Sequence, residues 1–201
     1  EVCQNMRSRL ESVRETTREA LRGMLSQLGV RFLGYVVRSL QVVLTKGFEL
    51  HVLGHAVHDF LQHLAGHLKP GDLDYLVADI VPILVEHLLG DVAHQKDVDA
   101  IKRKTREARQ QTLPYHAYQI LAKATTFAKL PELIEPLREH LEYTFSLDEV
   151  KKITEILRHI AQGLSANNSA RPADVLIYAH SLRTQFLLPT HGVRPPLLFC
   201  A

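Results

Sequence analysis

Length, composition and charge limit what this chain can be. Its 201 residues are 46% hydrophobic, which is enough apolar material for a packed core, and no apolar run approaches the roughly 18 residues that span a bilayer. We therefore expect a soluble chain without membrane contact. The formal net charge is only +2 at pH 7, so the overall charge does not indicate nucleic-acid binding. Only a local cluster of basic residues could indicate it.

The start of the chain and its cysteines indicate an excised piece of an intracellular protein. The chain begins at Glu1 with no charged segment followed by an apolar one, so no signal peptide is predicted. Cys3 and Cys200 lie at opposite ends, which gives neither a dense disulfide framework nor a C-x-x-C metal spacing. We expect a fragment of a longer protein from a reducing compartment.

The hydrophobic pattern predicts helices along the whole chain and no strand. Between residues 33 and 44 the apolar residues recur every three or four positions, which is the period of a helix with one buried face. Turn signals end the first four helices at Gly29, "TKGFE", "LKPGDLD" and Gly90, with Asp72 as the N-cap of the fourth. Further helices are predicted at about 97–111, 114–128, 131–144, 146–164 and 172–188.

Prolines and one polar pair mark where helices begin. Three prolines stand at predicted first turns, where a missing N–H costs nothing: Pro114, Pro131 and Pro172. Pro82 falls inside an apolar helix. Ser146 and Glu149 have the spacing of a capping box, in which each side chain bonds the backbone N–H of the other residue.

Helices of this length joined by short turns predict an all-α fold, an α-solenoid of HEAT-like antiparallel helix pairs. A period of about 43 residues would give four to five pairs in this chain. We expect one fragment over 1–201, with the helix-pair array at about 30–188, contacts mostly between neighbours in sequence, and a tail at 189–201. A compact helical bundle is the alternative.

The stretch "LHVLGHAVHDFLQHLAGH", residues 50–67, contains five histidines. On a helix whose buried side carries Leu53, Val57 and Phe60, three of them fall together on the opposite side: His51, His55 and His58. We expect this stripe to be exposed and to face a partner. The other two, His63 and His67, flank the apolar side and are expected to contact an adjacent helix.

The same stretch gives weaker support for a metal site or an enzyme active site. A zinc site needs more ligands than two histidines one turn apart, and His58 or Asp59 would have to supply them. The H-E-x-x-H form is absent because Val52 and Leu64 stand at its Glu positions. The dipeptide His58-Asp59 is typical of metal-dependent HD-type hydrolases, but no helix before it supplies the further histidine that they need. We predict no enzyme activity, catalytic residue, metal, cofactor or small-molecule substrate.

The stretch "DAIKRKTREARQQ" has little to bury and a basic side. Lys102, Arg106 and Arg109 are spaced by four and three residues, with Arg103 beside them. On a helix this spacing places the cations in a row on one side, along which a phosphate backbone could lie. The alternative is a solvated face in which Arg103 pairs with Glu107. No aromatic residues are interleaved, so base-specific reading is not predicted.

Four stretches in order resemble an internal region of the DRIM family of giant nucleolar proteins: "GFELHVLGHAVHDFL", "LKPGDLD", "PYHAYQILAKATTF" and "LRHIAQGLSANNS" followed by "VLIYAHSL". The resemblance runs from about residue 30 to 187, and the order of the motifs is more specific than any one of them. The chain departs from the family pattern at His55, where Tyr is common, and at His116, where an acidic residue is common. A metal role for His55 is therefore disfavoured.

The resemblance implies a HEAT-repeat component of the small-subunit processome, which assembles on pre-ribosomal RNA with a small nucleolar RNA. It implies a nucleolar scaffold that holds other processome proteins and RNA during small-subunit rRNA processing. The alternative is a HEAT or armadillo-like adaptor outside ribosome biogenesis, and a metal-dependent HD-type hydrolase is the distant third.

Overall fold

A computed structural model describes residues 2–90, 113–144 and 146–187 of the chain. Every regular element in these ranges is helical, which confirms the all-α prediction. The α-helices are α1 (Glu11–Leu28), α2 (Leu33–Val43), α3 (Phe48–Leu64), α4 (Val77–Leu89), α5 (Leu113–Ala124), α6 (Leu130–Tyr143), α7 (Leu147–Ser165) and α8 (Pro172–Leu187). Short 3₁₀ turns lie at Val2–Arg7, Val30–Phe32, Asp74–Leu76 and Phe127–Lys129. No helix in the described ranges has the length and apolar character needed to cross a membrane.

Contacts between alternate helices arrange the chain in two layers. In one layer α1 packs on α3, α3 on α5 and α5 on α7, and in the other α2 packs on α4 and α4 on α6. The most extensive contact joins α5 and α7. The prediction that nearly all contacts lie between neighbours in sequence is therefore wrong, because the most extensive contacts join helices that are not consecutive, such as α3 with α5 and α5 with α7.

Paired side chains in these layers define the repeat. Arg22 of α1 bonds Asp59 of α3, 37 residues later, and Arg38 of α2 bonds Asp79 of α4, 41 residues later. Helices two apart therefore run in the same direction. The neighbouring helices α3 and α4 run in opposite directions, since the ring of His51 near the start of α3 contacts that of His87 near the end of α4. These features are those of a solenoid built from helix pairs, as predicted.

One continuous apolar cluster fills the space between the elements, from Met6 to Ile160. The apolar positions predicted for α2 are buried: Leu33, Val36, Val37 and Leu40 are at most 1% exposed. The helical period that was read from the sequence is therefore the period of burial in the structure.

The helix starts follow the sequence signals with two corrections. The Ser146 hydroxyl accepts the Glu149 N–H at 3.5 Å, which confirms Ser146 as the N-cap of α7. The Ser146 N–H donates to the Thr144 hydroxyl at 3.3 Å instead of to Glu149. Asp72 is not the N-cap of α4, because a 3₁₀ turn intervenes before that helix begins at Val77. The Asp72 carboxylate instead accepts the Lys69 N–H at 2.8 Å and closes the preceding turn.

The predicted prolines lie where expected: Pro114 and Pro131 in the first turns of α5 and α6, Pro172 at the start of α8, and Pro82 inside α4. Pro136 lies inside α6, which was not anticipated. The helix predicted at about 97–111 and the tail at 189–201 lie outside the described residues.

Candidate functional site: a row of histidines across four helices

Six histidines form a row that crosses helix interfaces. Three of them share one side of α3 because their spacing of four and three residues matches the helical period. The row, called the histidine row below, comprises His87 of α4, His51, His55 and His58 of α3, His116 of α5 and His159 of α7.

The expected exposure of the α3 histidines is wrong. His51 and His58 are only 5% and 7% exposed, and His55 is half-buried. The cause is the position of α3, which packs against α1, α4 and α5 and so has neighbours on more than one side. A partner contact through this stripe stays a prediction. Of the three histidines, only His55 is exposed enough to make such a contact without a rearrangement of the helices.

At one end of the row, His87 occupies a space that Gly54 leaves open. The His87 and His51 rings meet edge to face with centroids 5.2 Å apart. A Cβ atom placed on Gly54 would lie 1.9 Å from His87 Nδ1 and 2.9 Å from its Cγ. The close approach of α3 and α4 therefore depends on the missing side chain at Gly54.

At the other end, the row reaches the surface at His116. Its ring centroid lies 6.4 Å from that of His58 and 5.1 Å from that of His159. His159 Nδ1 is 3.3 Å from Gln119 Oε1, and its Nε2 is 3.5 Å from Glu155 Oε1. This end joins α3, α5 and α7 through ring contacts and polar bonds.

Burial keeps His58 and His87 neutral at pH 7. It is the main cause that lowers the pKa of His87 to about 3, with smaller effects from the nearby His51 and His55. Burial is also the main cause that lowers the pKa of His58 to about 4, with smaller effects from His55 and His116. A charged imidazole is disfavoured at both positions because it would lose its hydration.

The pKa of His159 is lowered as well, by burial first and then by His116. Within the described ranges, His58 Nε2 and His87 Nδ1 have no hydrogen-bond partner. A neutral ring can leave one nitrogen as an unused acceptor at lower cost than a charged ring can leave an N–H donor. The missing hydrogen bonds at these two ring nitrogens thus agree with neutral imidazoles.

The row packs without converging on a common point. In the part of the chain that the structure describes, no group of three or more His, Cys, Asp or Glu side chains is placed to hold a metal ion. Asp59, the extra ligand considered above, accepts two hydrogen bonds of 2.9 Å from Arg22 Nη1. The arrangement can therefore couple helix packing to proton binding.

The other predicted residues fall in different places. His63 Nε2 lies 2.7 Å from Ser26 Oγ of α1, which confirms its contact with an adjacent helix. His67 lies beyond the end of α3 and is exposed. The basic row lies outside the described residues: Lys102, Arg103, Arg106 and Arg109.

Two features of the structure were not predicted from the sequence. Arg14 and Arg18 are 1% exposed although they belong to a strongly charged helix. Arg14 Nη1 donates to the Ser8 carbonyl at 2.8 Å, and the Arg18 guanidinium pairs with Glu15. The exposed side of α2 carries Tyr35, which stands in the sequence between Arg38 of the same helix and Arg31 of the 3₁₀ turn before it. Their spacing of four and three residues is a signal that could have found this face.

Comparison with known proteins places the chain in a family. Residues 1–183 match the family model described as the U3 small nucleolar RNA-associated protein 20 domain. The chain is 29% identical over 182 residues to U3 small nucleolar RNA-associated protein 20 of Schizosaccharomyces pombe and 30% identical over 181 residues to that of Saccharomyces cerevisiae. Each alignment covers 90% of this chain and 7% of the relative's length. Because the family model covers nearly the whole described helical array, the chain belongs to the U3 small nucleolar RNA-associated protein 20 domain family, in agreement with the resemblance found in its motifs.

Proposed function

We propose that this chain is a non-enzymatic scaffold segment of a ribosome-biogenesis factor, which holds proteins and pre-ribosomal RNA while small-subunit rRNA is processed. The observation that carries the proposal is the family match over residues 1–183, together with two relatives whose names state association with U3 small nucleolar RNA. The nucleolus is the proposed compartment. Other processome proteins, pre-ribosomal RNA and small nucleolar RNA are the proposed partners.

The architecture supports a scaffold role. A solenoid buries each repeat against the next and leaves the outer sides of both layers open along its length. Such a surface can contact several partners at once, whereas an enzyme needs groups that converge on one reacting centre. The histidine row joins helices by ring packing across α3, α4, α5 and α7, and so stabilises the array.

The test uses the protein that carries this chain, tagged at its chromosomal locus. A lysate is sedimented through a sucrose gradient, and RNA that co-purifies with the tag is sequenced from each fraction. We expect precursors of small-subunit rRNA and U3 small nucleolar RNA in the same heavy fractions. An adaptor outside ribosome biogenesis would remain in light fractions without these RNAs, and that result would overturn the proposal. Stoichiometric metal that is lost in an Asp59→Asn variant would favour the hydrolase instead.

The proposal extends to the basic row of Lys102, Arg103, Arg106 and Arg109, whose support is its spacing in the sequence. If it contacts phosphates, reversing Lys102, Arg106 and Arg109 to Glu should reduce the RNA that stays bound to the tagged protein as salt rises. The parallel measurement is the protein content of the same fractions. Unchanged RNA recovery at every salt concentration would identify the row as a solvated face.

A further inference from the structure

We infer that the outward face of α2 binds single-stranded RNA, with Tyr35 as a stacking platform for a base and Arg31, Arg38 and Lys46 as contacts to phosphates. The inference rests on the proposed function, because that function supplies RNA as the polyanion. It concerns different residues from the basic row and the histidine row. It is tested with purified protein, so its failure is distinguishable from a failure to enter pre-ribosomal particles.

Tyr35, Arg38 and Val42 share the outward side of α2, and Arg31 lies in the 3₁₀ turn directly before the helix. All four side chains are exposed and are spaced by four, three and four residues. On an ideal helix the three residues of α2 fall within about 60°. The opposite side of α2 is buried in the apolar core. The α2 face, as these four residues are called below, is therefore fixed outward by the packing of the helix behind it.

The ring of Tyr35 is held in place for stacking. It lies against the ring of Phe32 with centroids 5.3 Å apart and an interplanar angle of 25°. Phe32 packs on the core, whereas Tyr35 is 65% exposed. One side of the Tyr35 ring is thus supported and the rest is open to solvent. Nucleic-acid bases stack on such aromatic rings without a requirement for sequence.

A neighbouring tyrosine anchors the start of α2. The Tyr75 hydroxyl donates to the Val30 carbonyl at 2.8 Å, and the Gly34 N–H donates to the Tyr75 hydroxyl oxygen at 3.3 Å. A Cβ atom on Gly34 would lie 2.8 Å from the Tyr75 ring. These contacts fix the turn that carries Arg31 and Phe32, so little conformational entropy remains to be lost when a ligand binds the face.

The charge along the face is positive. Arg31 lies at one end of α2, and Lys46 follows its other end, and neither has an ion pair within the described ranges. Arg38 donates to Asp79 Oδ2 from Nε at 3.0 Å and from Nη2 at 2.8 Å. Its side chain is still 58% exposed, and a guanidinium has five N–H donors. Asp79 therefore orients Arg38 without using all of its donors.

Cations that alternate with an aromatic ring suit a polymer in which phosphates alternate with bases. Tyr and Arg are also common where proteins bind one another, but those residues act in well-packed pockets that exclude water. The α2 face is the outer surface of a single helix, with Tyr35 and Val42 standing 65% and 80% exposed. The arrangement favours a flexible strand that can lie along the helix.

The experiment measures binding of the purified 201-residue chain to a fluorescein-labelled 15-nucleotide single-stranded RNA of mixed sequence by fluorescence anisotropy, over a range of KCl concentrations. Tyr35→Leu keeps an apolar side chain and removes the ring, so we expect binding at least about fivefold weaker with an unchanged salt dependence. Tyr35→Phe keeps the ring and should stay within about twofold of the wild type.

A second set of variants tests the cations. Replacing Arg31, Arg38 and Lys46 together with Gln should reduce the slope of log affinity against log salt by about 2, since each phosphate contact on a single strand contributes about 0.7. The matched control replaces three exposed cations elsewhere, Lys151, Arg158 and Arg171, and should leave both affinity and slope unchanged.

Ultraviolet crosslinking locates the contact. Trypsin cleaves after Arg31 and Arg38, so an RNA adduct on Tyr35 or Phe32 would be found on the peptide 32–38. Adducts there, together with the losses described above, support the inference. Wild-type affinity in Tyr35→Leu, or an equal loss in the control triple variant, would overturn it. Unchanged RNA binding combined with loss of a processome protein from the tagged Tyr35→Leu particle would identify the face as a protein interface and also overturn it.

Discussion

Gly54 and His87 share one space between α3 and α4, and their packing leads to the first stability prediction. In a helix interior, Gly→Ala ordinarily stabilises a protein by about 0.5–1 kcal/mol, because Ala has the higher helix propensity. At Gly54 the new methyl group would lie 1.9 Å from the His87 ring, and overpacking of a filled core costs about 1–3 kcal/mol. We therefore expect Gly54→Ala to lower the free energy of unfolding, measured by urea denaturation.

Two variants separate this clash from a general effect of the substitution. Gly23 lies inside α1 with no atom within 4 Å of the added Cβ position, so Gly23→Ala should raise stability. In a His87→Ala background the obstacle is gone, and Gly54→Ala should become stabilising there as well. Stabilisation by Gly54→Ala in the wild-type background would show that His87 does not fill this space.

At the scale of helices, Gly163 sets the separation of α5 and α7. A Cβ atom there would lie 2.3 Å from the Gln119 carbonyl oxygen and 2.8 Å from the Ala122 Cβ atom. The obstacle is backbone, so no side-chain rotation can relieve it, and the two helices would have to move apart. Gly163→Ala should therefore destabilise the protein by at least as much as Gly54→Ala, on the order of 1–3 kcal/mol or more.

Hydrogen exchange adds a local measurement to the urea midpoint of Gly163→Ala. If the two helices separate, backbone amides in α5 and α7 should exchange faster than in the wild type, whereas those of α1 and α2 should change only as much as the global stability does. A variant with wild-type exchange in α5 and α7 and an unchanged urea midpoint would contradict the close contact at Gly163.

The elements show which features a single sequence can predict. Local signals were sufficient for Ser146 as an N-cap and for the first-turn prolines, because they act within one helical turn. The exposure of His51 and His58 was predicted wrongly for a reason of geometry. The pattern of α3 shows one strongly apolar side, but α4 and α5 cover the histidine side too, with imidazoles that a hydropathy pattern reads as polar.

For the whole molecule, the length of the repeat could be estimated from the sequence, but not which helices stack on one another. A HEAT-like period agreed with the chain length and the number of predicted helices. In the structure, side chains that contact each other across the repeat, such as Gln119 and His159, are 40 residues apart in the sequence. That α3 stacks on α1 and α5 depends on side chains from distant segments, such as Arg22 with Asp59. Each of these residues is an ordinary charged surface residue when its own helix is considered alone.

Acid sensitivity of the whole array is the last prediction, and it follows from the buried members of the histidine row. In the unfolded chain, histidine has its ordinary pKa of 6.5, whereas His58 and His87 in the folded chain have pKa values of about 4 and about 3. Between pH 6.5 and 4 the unfolded chain therefore binds protons that the folded chain does not. The free energy of unfolding contributed by these groups should be constant above pH 6.5 and fall as pH drops below it, by up to about 1.4 kcal/mol per pH unit for each histidine.

Urea denaturation at intervals from pH 7.5 to 4.5 measures that slope, and the groups that face the two rings determine how it is interpreted. His58 faces His55, His116 and Asp59, and the carboxylate opposes the lowered pKa only weakly, since it is engaged by Arg22. Replacing His58 and His87 together with Gln should flatten the slope even if the variant is less stable at pH 7.5. His67→Gln, at an exposed position, should leave the slope unchanged. An equally steep slope in the double variant would mean that other groups govern acid unfolding, and the buried histidines would then act in packing alone.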